Sequence, residues 1–332
     1  MDKRVRSGAA MGAPELVLEL GGDFDAIAQM AGFDPSVLQF PDTPISANAF
    51  VRFLDIAAAT LPCEAFGLRL AQRQKLSLFG ALGALFESCA TIGELFGDLA
   101  HYFPLQTQGT LIAITPAPNG VMVNYEMSSG ISASSRQVIE LGFGILVNEV
   151  RRHIPDWRPS EIYFRHGPPT DRKWHDHLLG RGLIFNADRN ALFLEKQTLA
   201  YPTRNSDTRI HNVLAPQYDA ARKALDGMVQ TRTEAIVRAT LSFASHDLPS
   251  IAKLMRMSPR TLQRRLASEG TSVAAIIDNV RADLAFIYLR DSALSVAEVA
   301  EILHFSETSV LSRAFRRWHG TSPRDVKTSR IS

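Results

Sequence analysis

Cysteine is scarce: Cys63 and Cys89 are the only two in 332 residues, with no CxxC spacing and no third partner. This excludes a disulfide framework and a cysteine-rich structural zinc, and it fits a reduced compartment. No apolar run approaches the ~18 residues a membrane span needs, and no apolar core follows a basic start, so neither anchor nor signal peptide is expected. Gly-rich phosphate loops and a Cys-His nucleophile signature are also missing, which argues against an enzyme. What is present is an ordinary globular composition, 45% hydrophobic and 21% charged, with room for two domains in a cytoplasmic protein.

The net charge of +2 conceals an asymmetry. Residues 229–332 hold fifteen Lys or Arg against ten Asp or Glu, whereas residues 1–228 hold twenty-one against twenty-four. The basic excess lies where one helical pattern is written twice, from Ser250 to Ser272 and from Ser295 to Pro323. In the first copy Ile251, Leu254 and Met255 form an apolar face, Met257 and Ser258 make a turn, and Ser258 caps a helix opened by Pro259. In the second, Val296, Val299, Ala300 and Leu303 repeat the face, Ser306 is the expected cap, and Leu311, Ala314, Phe315 and Trp318 form the buried stripe. Leu262, Arg264 and Leu266 match Leu311, Arg313 and Phe315 at a constant offset, as two copies of one helix-turn-helix unit require.

The faces opposite those stripes carry the chemistry. Arg260, Gln263 and Arg264 leave the first basic helix on one side, with Thr261 beside them. Arg and Gln at the start of a helix in a major groove pair with guanine and adenine edges. The equivalent face of the second helix is Thr308, Ser309, Ser312 and Arg313, poorer in strong base readers, so the first unit is expected to specify and the second to position. Arg265, Arg316 and Arg317 are assigned to phosphates. Between the copies, Val273, Ile276, Ile277, Val280, Leu284 and Ile287 mark a connecting helix. Its eighteen or so residues at about 1.5 Å each span about 27 Å, which with the flanking helix widths suits the ~34 Å repeat of B-DNA.

Residues 230–327 resemble the DNA-binding domain of the AraC/XylS class of bacterial transcription regulators, in MSPRTLQRRLASEGTS, VRADLAFIYLRDSALSVAEVAEIL and SRAFRRWHGTSP. The resemblance implies a seven-helix domain with two helix-turn-helix units, base contacts from Arg260, Gln263, Arg264, Thr308, Ser309 and Arg313, and an N-terminal sensor domain. Two departures stand out. The family has Gly-Phe in the second turn where this chain has His304-Phe305, and an aromatic-Arg pair near the end where it has Val326-Lys327. His tolerates positive φ less well than Gly, so a strained or shifted second turn is expected.

Upstream, residues 1–17 are expected to be disordered, being small, polar and Gly/Ala-rich near the start. Helices follow at Phe24 to Ala31, from a Ser46 cap to Pro62, at Phe66 to Ala71, and as a hairpin over Leu78 to Ser88 and Thr91 to Tyr102. Thr110 to Thr115 and Gly120 to Glu126 read as a β-hairpin turned by Asn119-Gly120. A long helix over Ser132 to His153 and short strands near Ile162, Leu183 and Ala191 complete an α+β domain. FGLRLAQRQKLSLFGALGALFESCATIGELFGDLAHYF, WRPSEIYFRHGPP and LIFNADRNALFLEKQTLAYP resemble the sensor domain of the branch that includes ornithine-utilisation regulators, over residues 18–202.

His175 and His177 in WHDH invite a metal reading, but their flanks are helical and the stretch reads as a surface helix, with no metal expected. The Phe/Leu face of Leu78 to Tyr102 reads as core in preference to a pocket lining. The expected architecture is a disordered start (1–17), an α+β effector-binding or dimerisation domain (18–204), a connection (205–229), and an all-α DNA-binding domain (230–328) with two helix-turn-helix units joined by a long helix. The expected function is a sequence-specific transcription regulator, an activator by family analogy. Its partners would be promoter DNA, RNA polymerase, a small effector and a second subunit, with no cofactor and no membrane. The alternative is a DNA-binding protein fused to a catalytic domain, cysteine-based or methyl-accepting.

Overall fold

The computed structural model describes residues 3–128, 131, 135–224, 229–241, 246–255 and 257–328. The chain opens with β1 (Arg4–Arg6), a 3-10 turn over Ser7–Ala10 and α1 (Ala13–Glu19). β1 pairs antiparallel with β2 (Pro44–Ser46), placing Val5 opposite Ile45, and Ala10 and Ala13 are fully buried. The expectation of a disordered start is therefore corrected over its described part. The small residues that suggested disorder permit close packing: Ser7 N donates to Thr43 O and Gly8 N to Pro41 O, both at 2.8 Å, and a Cβ on Gly8 would sit 3.1 Å from that Pro41 oxygen.

The helices of the N-terminal half are α2 (Phe24–Ala31), α3 (Ala47–Thr60), α4 (Phe66–Ala71), α5 (Ala81–Ser88), α6 (Ile92–Tyr102) and α7 (Arg136–His153). Their starts follow from side-chain caps, with Asp23, Ser46 and Thr91 accepting from the backbone N–H three residues on. Phe24, Phe33, Phe53 and Phe66 meet edge to face at 5.4–6.2 Å and anchor the core, each such ring contributing about 1.5–3 kcal/mol on burial. α4 approaches α7 so closely that a Cβ on Gly67 would lie 2.1 Å from Gln137 O. Only glycine permits that contact.

β3 (Thr110–Ala117) and β4 (Gly120–Met127) form the hairpin, turned by Asn119 at φ 60. With β5 (Ile162–Tyr163), β6 (Leu183–Ile184) and β7 (Ala191–Glu195) they make a five-stranded sheet in the order β3-β4-β7-β5-β6, antiparallel except for the β5–β6 pair. α8 (Lys173–Leu179) carries WHDH, as a helix. It is not a surface helix on every side: His175 is fully buried and lies 2.9 Å from Glu140 Oε1, because the apolar face that includes Leu178 and Leu179 turns it inward.

After α9 (Lys196–Leu199), α10 (Thr208–Ala224) lies along the N-terminal half, with His211 Nε2 2.7 Å from Asp98 Oδ2 and Tyr102 donating to Asp219 at 3.0 Å. The C-terminal half is helical: α11 (Val229–Thr240), α12 (Leu248–Leu254), α13 (Pro259–Ser268), α14 (Val273–Asp291), α15 (Val296–Ile302), α16 (Thr308–His319) and α17 (Pro323–Thr328). Its separate core gathers Ile251, Leu262, Leu266, Val280, Leu284, Val299, Leu311 and Phe315. α14 runs through this core, and its 19 residues make it about 28 Å long. α11 packs against β3 and β4, which joins the two halves.

Candidate nucleic-acid interface

Local sequence fixes each helix of the interface. Asp247 caps α12 by accepting from Ser250 N at 2.8 Å, and Ser258 caps α13 by accepting from Thr261 N at 3.1 Å, with Pro259 at the first turn. Leu262 and Leu266 are fully buried, and the rest of the helix follows from its 3.6-residue period. Arg260, Gln263 and Arg264 are therefore exposed on the opposite side, and none makes a side-chain hydrogen bond or ion pair among the described residues. Thr261 is half-buried and its hydroxyl lies 2.8 Å from Ser258 Oγ, so it belongs to the cap. Arg265 is half-buried on the flank.

In the second pair, Ser295 and Glu298 form a reciprocal capping box on α15. α15 ends with His304 in the left-handed region at φ 55, His304 N donating to Glu301 O at 3.0 Å and Phe305 N to Ala300 O at 2.9 Å. The turn takes the strained form of the expectation. The residue at the cap of α16 is Glu307, not Ser306 as expected, and it makes no side-chain cap bond. Instead its carboxylate accepts from Ser309 Oγ at 2.8 Å.

Thr308, Ser309, Arg313 and Arg316 are exposed, while Ser312 is half-buried and donates to Thr308 O at 2.9 Å. Arg313 matches Arg264 in being exposed without an ion pair among the described residues. Arg317, assigned to phosphate from the sequence, is exposed and pairs here with a carboxylate. Its guanidinium is 3.3 Å from Asp278 of α14 and 5.7 Å from the Trp318 ring centroid, and Trp318 Nε1 donates to the same carboxylate at 3.1 Å. Asp278 thus ties α16 to α14, a contact that helical periodicity alone does not reveal.

A second set of residues, absent from the sequence reading, joins the halves. Arg165 Nη2 donates to Glu126 Oε1 at 2.9 Å and to Arg238 O of α11 at 3.1 Å, while Nη1 donates to Asp188 O and to the Tyr288 hydroxyl of α14. Tyr288 donates to Asp188 O at 2.5 Å. Burial alone lowers the Arg165 pKa, but Glu126, Tyr288 and Asp188 outweigh it and hold the guanidinium above its usual range. The available signal was Glu126, the one charged residue of β4, since a buried carboxylate requires a partner.

Cys89, Asp98 and His211 bring ligand atoms within 4.8 Å of one another, the only such trio among the described residues. They satisfy each other: besides the His211 contact, Cys89 Sγ lies 3.5 Å from the same Asp98 oxygen. Burial, with Asp98 and Glu94 adding to it, pushes the Cys89 thiol up, so it is a neutral thiol and a poor nucleophile.

An α+β domain followed by a helical domain with capped helix pairs and an outward Arg/Gln face defines a DNA-binding regulator with a sensing module. Residues 21–203 match the family described as the arabinose-binding domain of AraC transcription regulators, N-terminal, and residues 251–329 match a helix-turn-helix domain. The chain belongs to the AraC family of transcription regulators. It is 27% identical over 326 residues to the HTH-type transcriptional regulator VirS of Mycobacterium tuberculosis, covering 97% of this chain and 96% of that one. It is 26% identical over 328 residues to the Ornithine utilization regulator of Pseudomonas aeruginosa, covering 94% and 93%. The regulator VqsM of Pseudomonas aeruginosa is 40% identical over 83 residues, 25% of this chain and 26% of that one.

Proposed function

We propose that α12–α13 and α15–α16 act as two helix-turn-helix units joined by α14, and that α13 and α16 enter successive major grooves of promoter DNA. The observation that carries this reading is the face of Arg260, Gln263 and Arg264 on α13, exposed and without an ion pair among the described residues beside a well-capped N-terminus. These donors lie where bidentate contacts to guanine and adenine need them. Thr308, Ser309, Ser312 and Arg313 form the second reading face, Thr261 supports the first, and Arg265 and Arg316 contact phosphate. Arg317 reaches a phosphate only by giving up Asp278.

Residues 18–204 are the effector-binding or dimerisation domain, 205–229 the connection, and 230–328 the DNA-binding domain. By family analogy the protein is a cytoplasmic activator that contacts RNA polymerase, responds to a small effector, works as a homodimer and catalyses no reaction. Effector binding shifts the DNA-binding state through the contacts of Arg165 with α11 and α14. A coupling of about 1–3 kcal/mol changes promoter affinity about 5- to 150-fold.

The test is selection of duplexes from a randomised pool by the full chain, followed by footprinting of the winner. The expected footprint covers two major-groove segments on one face, about 10 bp apart. A pool that yields no enriched sequence removes the specific-binding reading. A footprint confined to one groove removes the second unit from base reading.

A further inference from the structure

We propose that the effector of this chain is an uncharged apolar molecule, a single ring or short aliphatic chain, bound in the cavity between α3, α6, α7 and the β3–β4 hairpin. This rests on the reading of residues 18–204 as the effector-binding domain and names the chemical class that the domain accepts.

The cavity has a volume of about 90 Å³, and its walls include Phe50, Leu99, Phe103, Ile112, Met127 and Leu146. Part of the Phe/Leu face around residues 78–102 therefore lines a pocket as well as a core, Phe79 and Leu99 included. Several of the polar groups that reach the cavity are already engaged, while the Gln106 amide makes no side-chain hydrogen bond among the described residues. The Gln74 amide donates to Ala9 O at 2.8 Å and Met11 O at 2.9 Å, and Thr107 Oγ1 accepts from Gly109 N at 3.0 Å. The Tyr125 hydroxyl is hydrogen-bonded to Thr110. Arg6 and Asp42, the charged pair of the lining, bind each other.

Several buried side-chain N or O atoms lack a partner among the described residues, but none belongs to the lining. A sugar or an amino acid entering here gives up its water for several hydroxyls or charges at once and meets, in the Gln106 amide, a partner for only one or two of them. Each hydroxyl so stranded weakens binding roughly tenfold. An apolar guest loses nothing of the kind and gains contact with the walls, as small dry cavities lined by Leu, Ile and Phe do with benzene-sized molecules.

β4 gives the cavity a route to the DNA-binding domain. Tyr125 and Met127 face the cavity, while Glu126 between them points to the other side of the strand and holds Arg165. A guest that displaces the Tyr125 and Met127 side chains moves the strand that carries Glu126.

The experiment titrates the full chain with toluene and, separately, with L-arabinose, following the methionine methyl resonances and DNA affinity on the selected duplex. Toluene is expected to shift the Met127 methyl saturably, and L-arabinose to leave it in place. Ile145→Phe, which fills the cavity from α7, is expected to weaken toluene binding at least tenfold. Saturable movement of Met127 by L-arabinose and not by toluene overturns the proposal, as does movement by neither. The wild-type titration decides the matter even where Ile145→Phe fails to fold. Specific DNA binding that persists without any toluene response removes the ligand class and leaves the regulator reading intact.

Discussion

Arg165 and Tyr288 meet across the boundary between the sensor and DNA-binding domains, the guanidinium carbon 5.3 Å from the ring centroid and Nη1 donating to the phenol oxygen. Both residues are buried, Tyr288 completely, and both are bonded to Asp188 O. One residue of α14, in the helical domain, thus bonds directly to a loop of the N-terminal domain.

Removing Arg165 leaves Glu126 as a buried charge without its counter-ion. Arg165→Met is expected to lower the unfolding free energy by about 3–5 kcal/mol, and Arg165→Met with Glu126→Leu to recover most of that loss. Urea unfolding measures both. Equal instability of the single and double variants would mean that packing and not the ion pair holds the boundary.

Asp55 of α3 gives a pH dependence with a definite sign. Burial lifts its carboxyl from 3.8 to about 7, Asp291 pushes in the same direction, and Arg290 and Arg136 oppose. Between about pH 4 and pH 7 the folded chain holds a proton that the unfolded chain has released, so this contribution to stability is complete below pH 4 and lost as pH rises through 7. Subtracting the stability profile of Asp55→Asn from that of the wild type should give a curve that falls across this window. A flat difference removes the assignment.

His304 is exposed at φ 55, a conformation that costs a side-chain-bearing residue about 1–2 kcal/mol. His304→Gly should raise the thermal midpoint, by a net gain of about 0.5–1 kcal/mol after the larger chain entropy of glycine. His304→Val should lower it, because β-branching adds to the clash. A lower midpoint for the glycine variant would show that the imidazole supports the turn.

The helix pairs were legible because local rules set them. Ser258, Pro259, Leu262 and Leu266 declare a capped, one-sided helix within nine residues, and the structure places Leu262 and Leu266 in the core. The Asn119 turn and the Ser46 cap were legible for the same reason. What the sequence concealed depends on long-range contact. Arg4–Arg6 is ordered by pairing with Pro44–Ser46, forty residues on, and nothing in its composition announces a partner. The contact of Arg317 with Asp278, 39 positions upstream, was hidden for the same reason. Arg165 and Tyr288 are 123 positions apart, and only the docking of α11 on the sheet brings them together.

The central claim is that the α13 face reads bases. The most direct measurement is a binding titration of the full chain and of Arg264→Ala against every single-base variant of the selected site. Arg264 is exposed and makes no ion pair among the described residues, so the substitution leaves the core alone and its effect reports on DNA. The account predicts a loss of about 1–3 kcal/mol on the cognate site, with preference relaxed at one base position and retained elsewhere. Uniform weakening across all variants, or an unchanged preference profile, would contradict it.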